Sequence, residues 1–236
     1  TLEDFLSTND FVGAVTLLEV QRRTEDASEK TLLWLAYAAF HQGDFERAHK
    51  TYGEVIATYG SGGAATASPH VAHLYAALCL YQLGRYAEAE AAAMRGPDVQ
   101  LRVRLLFFIY HRLGNEEGVV AMHRRLSESD KVDQLTVAAM QYVRNHHAEA
   151  NDIYKRLLLE NREDVALNYA IALCYFKLDY YDVSTDVLAV YSQARPPSLR
   201  AANLKACNQF RLLTGKAAEA EVKALADVGI SVETSD

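Results

Sequence analysis

Hydrophobic side chains recur at intervals of three to four residues along most of the chain. One such stretch places Leu32, Leu35, Ala36 and Ala39 on a common face, and this spacing predicts an amphipathic α-helix. Similar stretches stand in pairs, and a Gly, Asn or Asp separates the two members of a pair. These residue types most readily take the left-handed backbone that ends a helix. The pattern therefore predicts an all-α chain built from helix-turn-helix pairs.

A repeated phrase around the turns sets the period of the chain. Residues 40–48 and 81–89 share the order aromatic residue, turn glycine, second aromatic residue and alanine. Each copy closes on a small or β-branched residue, at Ala14, Ala48, Ala89, Val119, Ala150, Ser184 and Ala220. The turn residues of the second to seventh copies are Gly43, Gly84, Gly114, Asn145, Asp179 and Gly215. Successive closing residues lie 34, 41, 30, 31, 34 and 36 positions apart, which indicates seven units with a period near 34.

These features resemble the tetratricopeptide repeat, whose signature has a small residue in the first helix, a glycine before an aromatic residue at the turn, and an alanine in the second helix. The resemblance implies a solenoid of about seven helix-turn-helix units in a right-handed superhelix. We expect a single array over residues 1–227, with a flexible loop at 60–69 and a C-terminal tail at 228–236. The expected units are 1–27, 28–60, 70–96, 99–128, 131–162, 164–196 and 198–227.

Composition and charge exclude several classes of protein. The chain has 24 Lys and Arg residues against 31 Asp and Glu residues, so its net charge of −7 gives no bulk attraction to nucleic acid or anionic lipid. No apolar run approaches the roughly 20 residues that span a bilayer, so membrane insertion is not expected. The three cysteines are an odd number at wide spacing, which predicts free thiols in a reducing compartment. Because the chain has no initiator Met or signal-peptide pattern, we expect a fragment or a processed protein.

The sequence offers no convincing set of catalytic or metal-binding residues. The glycine-rich segment 60–63 lacks the Lys-Ser/Thr ending of a phosphate-binding loop. His70 and His73 could share a helix face, but no Cys or carboxylate joins them at ligand spacing. We therefore predict a protein without enzymatic activity, metal or cofactor.

The first helices of a tetratricopeptide solenoid line its concave side, and here they carry aromatic residues. The candidate protein-binding residues are Trp34, Tyr37, Tyr75, Tyr81, Arg104, Phe108, Arg112, Tyr169 and Phe176. Basic character is concentrated near Arg102, Arg104 and Arg112. Two interpretations remain open: the aromatic residues fill a tight superhelix by packing between neighbouring first helices, or they form an open groove for an amphipathic or extended partner segment.

Four longer strings go beyond the generic repeat. They are TLEDFL with FVGAVTLLE (residues 1–6 and 11–19), IYKR with ENRE (153–156 and 160–163), LDYYDVS with VLAVY (178–184 and 187–191), and NLKACNQFRL with AAEAE (203–212 and 217–221). Together they resemble the tetratricopeptide repeat subunit of intraflagellar transport complex B, the family also called tetratricopeptide repeat protein twenty-six. The match corresponds to the N-terminal half of that family.

The resemblance implies a non-enzymatic scaffold or adaptor in the particle that motors carry along cilia and flagella. Its implied partners are other complex B subunits and axonemal cargo proteins, and its implied location is the cilium or flagellum and its cytoplasmic base. A role in cilium assembly and in transport of motility-related cargo follows from the same resemblance. The alternative is a general peptide-binding adaptor or co-chaperone. We also expect self-association through apolar residues at the array end, namely Leu204, Leu212, Leu213 and Ala220.

Overall fold

In the computed structural model, the described residues are 1–24, 28–60, 68–195, 198–213 and 215–227. They form fourteen α-helices and no strand. The helices are α1 (Leu2–Ser7), α2 (Phe11–Thr24), α3 (Glu29–Gln42), α4 (Phe45–Tyr59), α5 (Ser68–Gln82), α6 (Tyr86–Arg95), α7 (Gln100–Leu113), α8 (Glu116–His123), α9 (Lys131–Val143), α10 (His147–Glu160), α11 (Ala166–Lys177), α12 (Tyr181–Ala194), α13 (Leu199–Leu212) and α14 (Gly215–Asp227). The prediction of an all-α chain of seven helix pairs is confirmed. The described residues do not include most of the predicted flexible loop (61–67). They also do not include the predicted C-terminal tail (228–236).

The contacts between helices divide the chain into two compact units, Thr1–Leu126 and Ser127–Asp236. The described part of the first unit contains α1 to α8, and that of the second contains α9 to α14. Within each unit every helix packs against the next helix in chain order. Two further contacts join first helices of successive pairs, α5 with α7 and α11 with α13. The prediction that residues 1–227 form one array stays a prediction.

The turn between the two helices of a pair takes its shape from one residue with positive φ. The glycines at this position are Gly43 (φ 92°), Gly84 (φ 76°) and Gly114 (φ 70°), and the other residues are Asn9 (φ 56°), Asn145 (φ 64°) and Asp179 (φ 65°). At Gly43 the amide of Asp44 closes the turn, because it donates a hydrogen bond to the carbonyl of Ala39 at 2.9 Å. The left-handed turns predicted from the second to the sixth copy are confirmed.

The seventh copy departs from this pattern. Gly215, which the repeat predicts as the turn residue, is instead the first residue of α14, and its backbone is not left-handed. The closing residue predicted for that copy, Ala220, is exposed, whereas the closing residues of the first six copies are all buried. The register predicted for the last pair is therefore wrong, because α14 begins at the predicted turn residue itself, whereas the other second helices begin two residues after theirs.

The core of the first unit consists of small and medium apolar residues. Ala14, Ala48 and Ala89 are fully buried where the second helices pack closely against their neighbours. Leucines such as Leu18 and Leu35 fill the space between helices. Cys79 lies within the same core as a free, buried thiol, as expected of a cysteine that acts as a small hydrophobic residue.

The core of the second unit also encloses polar side chains. Ser184 Oγ donates to the carbonyl of Ala172 at 2.7 Å and accepts a hydrogen bond from Asn208 Nδ2 at 2.9 Å. Asp133 is buried near the start of α9, and its Oδ2 accepts the amide of Ser127 at 2.8 Å. These bonds compensate for burial of the polar groups and tie neighbouring segments together.

Candidate functional site

An aromatic pocket of about 870 Å³ opens on the first unit. Its lining residues are Glu29, Lys30, Leu33, Trp34, Tyr37, Phe40, His41, Tyr52, Val71, Tyr75 and Leu78. All of them come from α3, α4 and α5, so the pocket lies wholly within one compact unit. We refer to this set of residues as the aromatic pocket.

Helical spacing places the main side chains of the aromatic pocket on two facing surfaces. Trp34, Tyr37 and His41 succeed one another at intervals of three and four residues on α3, so they lie on one face of that helix. Val71, Tyr75 and Leu78 have the same spacing on α5. Tyr52 reaches the pocket from α4.

The rings contact one another in two groups. On α3 the rings of Trp34 and Tyr37 are 5.6 Å apart at 87°, an edge-to-face arrangement. The Tyr37 ring also lies 4.3 Å from the His41 ring. Across the pocket the rings of Tyr52 and Tyr75 are 5.5 Å apart. These contacts hold the rings in place, yet Tyr37 is 40% exposed and Tyr75 is 38% exposed, so part of each ring remains accessible.

Burial changes the ionisation of two groups in the aromatic pocket. It lowers the pKa of His41, which favours a neutral imidazole at pH 7. Burial, reinforced by nearby Cys79, Tyr75 and Tyr37, raises the pKa of Tyr52 and keeps its phenol protonated. The centre of the pocket is therefore aromatic and uncharged, and its formal charges come from Glu29 and Lys30.

Two further predicted residues meet at a different place in the first unit. Arg112 Nε donates to Tyr81 Oη at 3.4 Å, and the Arg112 guanidinium lies 6.0 Å from the ring of Tyr86. The Tyr81 and Tyr86 rings are 5.4 Å apart. Neither Tyr81 nor Arg112 lines the aromatic pocket.

The basic residues near α7 are largely committed to partners within the chain. Arg102 is only 15% exposed; it forms an ion pair with Asp98 at 2.7 Å and donates to the carbonyl of Gly96 at 3.0 Å. Arg125 pairs with the same Asp98 carboxylate at 2.7 Å. Arg104 is half-buried and also has an interaction within the chain. Of the predicted basic residues, Arg102 is thus paired with a carboxylate, that of Asp98 in the segment before α7.

The remaining candidate residues pack against their neighbours. Phe108 is half-buried, with its ring 6.0 Å from that of Phe107. In the second unit, Tyr169 and Phe176 pack against a core cluster of Ala172, Leu188, Ala201 and Leu204. Their rings lie 5.8 Å from Tyr191 and 5.5 Å from Tyr181, respectively. Of the nine candidate residues, the structure brings together Trp34, Tyr37 and Tyr75 in one pocket.

Sequence reasoning missed several residues of the aromatic pocket. His41 could have been found, because it follows Tyr37 by four positions on the same helix face. Tyr52 belongs to a second helix, which the repeat pattern assigns to the opposite side of the solenoid. Glu29 and Lys30 lie at the start of α3, one turn before the aromatic residues. Their place in the pocket follows from the packing of α3 and α5 against α4.

The array end also differs from expectation at one position. Leu204 is buried in the core of the second unit, so it does not contribute to an apolar surface. Leu212 and Leu213 are exposed, as expected.

Among the described residues there is no group of three or more His, Cys, Asp or Glu side chains placed to hold a metal ion. A search of the same residues finds no helix long and apolar enough to cross a membrane.

Comparison with known sequences identifies one family. The family model described as Intraflagellar transport protein 56 matches residues 32–235. The intraflagellar transport protein 56 homolog of Caenorhabditis elegans is 30% identical over 232 residues, which cover 95% of this chain and 38% of that relative. The chain thus spans less than half the length of this curated relative.

Comparison with solved structures confirms the tetratricopeptide fold. A tetratricopeptide repeat protein from Parabacteroides merdae superposes with a TM-score of 0.67 at 18% identity, covering 98% of this chain and 92% of that chain. A chain of the APC/C hetero-tetramer Cut9-Hcn1 gives a TM-score of 0.62 at 13% identity, covering 96% of this chain and 45% of that chain. At such identities the similarity establishes the fold alone.

Proposed function

The chain belongs to the intraflagellar transport protein 56 family, and on that premise we propose that it acts as a scaffold subunit of the intraflagellar transport B particle. In this role it binds partner proteins and performs no chemical step. We place it in the cilium or flagellum and at its cytoplasmic base. Its partners are other subunits of the particle and the motility-related axonemal cargo that the particle delivers.

The architecture supports a binding role. In a stack of helix pairs, each repeat contacts mainly the repeats beside it. A long surface therefore stays available, and several partners can be held at separate places on it. The most prominent groups of the aromatic pocket are its rings, which supply large and rigid contact area to a partner.

The observation that carries the proposal is the accessibility of the aromatic pocket. Tyr37 on α3 and Tyr75 on α5 each leave more than a third of their surface open, although other large apolar residues of the same core are mostly covered. A pocket of about 870 Å³ has room for several side chains of a helix or an extended segment. We propose that one partner docks there.

Co-purification from ciliated cells tests this function. The tagged full-length protein is expected to recover other subunits of the transport particle, and the double variant Trp34→Ala/Tyr75→Ala is expected to lose at least one of them. A matched control is Tyr180→Ala, which removes an exposed aromatic residue outside the pocket. Circular dichroism and thermal unfolding verify that each variant is folded.

Three results would contradict the proposal. Repeated failure of the full-length protein to recover any particle subunit would remove the scaffold function. Unfolding of the double variant would show that Trp34 and Tyr75 serve the packing of the helices. Retention of every partner by a folded double variant would place the docking surface elsewhere.

A further inference from the structure

One carboxylate of the aromatic pocket has an oxygen that the chain leaves without a donor. Glu29 stands in the first turn of α3, and its Oε1 atom is buried with no hydrogen-bond partner. A buried carboxylate oxygen without a donor is energetically unfavourable, because it has lost water and gained nothing in return. The Glu29 side chain as a whole is only half-buried, so its carboxyl group can turn toward a donor that enters the pocket, and that donor would be stabilised by this oxygen.

The basic side chains that line the same pocket do not donate a hydrogen bond to Glu29 Oε1. Lys30 also lines the aromatic pocket, but its side chain is exposed and it leaves the Glu29 Oε1 atom unpartnered. His41 lies at the other end of α3, and burial lowers its pKa, which favours the uncharged ring. Glu29 thus lines a pocket in which neither Lys30 nor His41 donates to its Oε1 atom.

The aromatic rings favour the same kind of ligand as the carboxylate. A lysine or arginine cation is attracted to the face of a tryptophan or tyrosine ring when it lies within about 6 Å of the ring centre. The pocket contains four such rings, those of Trp34, Tyr37, Tyr52 and Tyr75. The long aliphatic stem of a basic side chain also suits an apolar wall, here provided by Leu33 and Leu78.

We propose that the aromatic pocket takes a basic side chain, lysine or arginine, presented by a segment of a partner protein. The cation lies against the aromatic rings and donates a hydrogen bond to Glu29 Oε1, while apolar neighbours in the segment fill the rest of the pocket. This inference rests on the proposed function, because it names the chemistry of the segment that docks there.

The single tryptophan of the chain, Trp34, lies in the pocket, so its fluorescence reports binding directly. The probes are three tetrapeptides, acetyl-Leu-X-Leu-Leu-amide, in which X is arginine, citrulline or glutamate. Citrulline has nearly the shape of arginine without its charge. We expect the arginine peptide to bind about ten-fold more tightly than the citrulline peptide, since a charge-assisted hydrogen bond is roughly twice as strong as a neutral one.

The variants assign this preference to one carboxylate. Glu29→Gln is expected to remove the preference for arginine over citrulline. Glu117→Gln, the same change at an exposed glutamate of α8 that does not line the pocket, is expected to keep it. Circular dichroism confirms folding of both variants, and the comparison of peptides on the unaltered chain depends on neither of them.

Four results would overturn the inference: equal binding of the arginine and citrulline peptides, tightest binding of the glutamate peptide, an arginine preference that survives in Glu29→Gln, or no binding of any peptide at millimolar concentration. Co-purification of the full-length protein separates this failure from failure of the proposed function. If Glu29→Gln keeps all partners while Trp34→Ala/Tyr75→Ala loses one, the pocket still docks a partner, but that partner is not held by a basic side chain.

Discussion

The described core of the first unit is almost entirely apolar, whereas the core of the second unit also encloses amides, hydroxyls and a carboxylate. Among the described residues, the buried polar side chain of the first unit is Thr51. Those of the second unit are Asp133, Gln134, Thr136, Asn151, Asn168, Ser184, Ser198 and Asn208. Both units nevertheless use the same helix pair with a left-handed turn.

The difference shows that one repeat design can be held together in two ways. In the first unit, stability depends on how closely the helices approach, and this distance is set by fully buried alanines. In the second unit, part of the stability depends on hydrogen bonds such as the one that joins Asn208 to Ser184. Substitutions that change volume should therefore act most strongly on the first unit, and substitutions that remove a hydrogen bond on the second.

The largest effect is expected from Ala89→Leu. Ala89 is fully buried on α6, so a leucine forces the helices of that pair apart and should lower the free energy of unfolding by about 1–3 kcal/mol. Hydrogen exchange should show lost protection in residues 1–126 and unchanged protection in the second unit. The control is Ala87→Leu, an exposed position on the same helix. Unchanged stability of Ala89→Leu would mean that close approach of helices does not stabilise the first unit.

Ser184→Ala should have a somewhat smaller effect, located in the second unit. It removes the acceptor of the Asn208 amide, whose Oδ1 atom is already without a partner, and should cost about 1–2 kcal/mol. The double variant Ser184→Ala/Asn208→Leu should cost less than the sum of the two single variants, because no polar group then remains unpaired. Chemical denaturation of the four proteins measures this coupling, and strict additivity would contradict the role assigned to the pair.

The smallest effect concerns the turns, where the first unit mostly uses glycine and the second uses Asn145 and Asp179. Gly84→Ala should cost about 1 kcal/mol, since its φ of 76° strains a residue with a side chain even though space is open around it. Asn145→Gly should change the stability of the second unit by only a few tenths of a kcal/mol, because asparagine tolerates the left-handed region. Thermal unfolding of both variants checks the difference, and an equal loss would show that the turn residues are interchangeable between units.

Much of the fold could be predicted because its signals are local. The helical spacing of apolar residues and the turn residue of each copy depend on interactions within a few positions. The last copy was misplaced because Gly215 carries the same local signal as the other turn glycines, although it starts α14. A local signal cannot tell a turn glycine from one at a helix start, because glycine suits both positions.

The candidate site could be predicted only in part. Trp34, Tyr37 and Tyr75 share the face of first helices, so the repeat register was enough to select them. The same register also selected Tyr169 and Phe176, which pack against the core of the second unit. Exposure of an aromatic ring depends on the residues that face it from other helices, and the register carries no information about those residues.

The sequence by itself determined the class of fold, the pairing of helices and the residues that end them, because backbone preference and apolar spacing are properties of short segments. Only the tertiary structure decided that Tyr52 joins the aromatic pocket, that Arg102 is bound by Asp98, and that the Glu29 Oε1 atom stays without a donor. These features depend on distances between side chains brought together by helix packing. Burial and pairing are properties of that packing, which short segments of sequence do not specify.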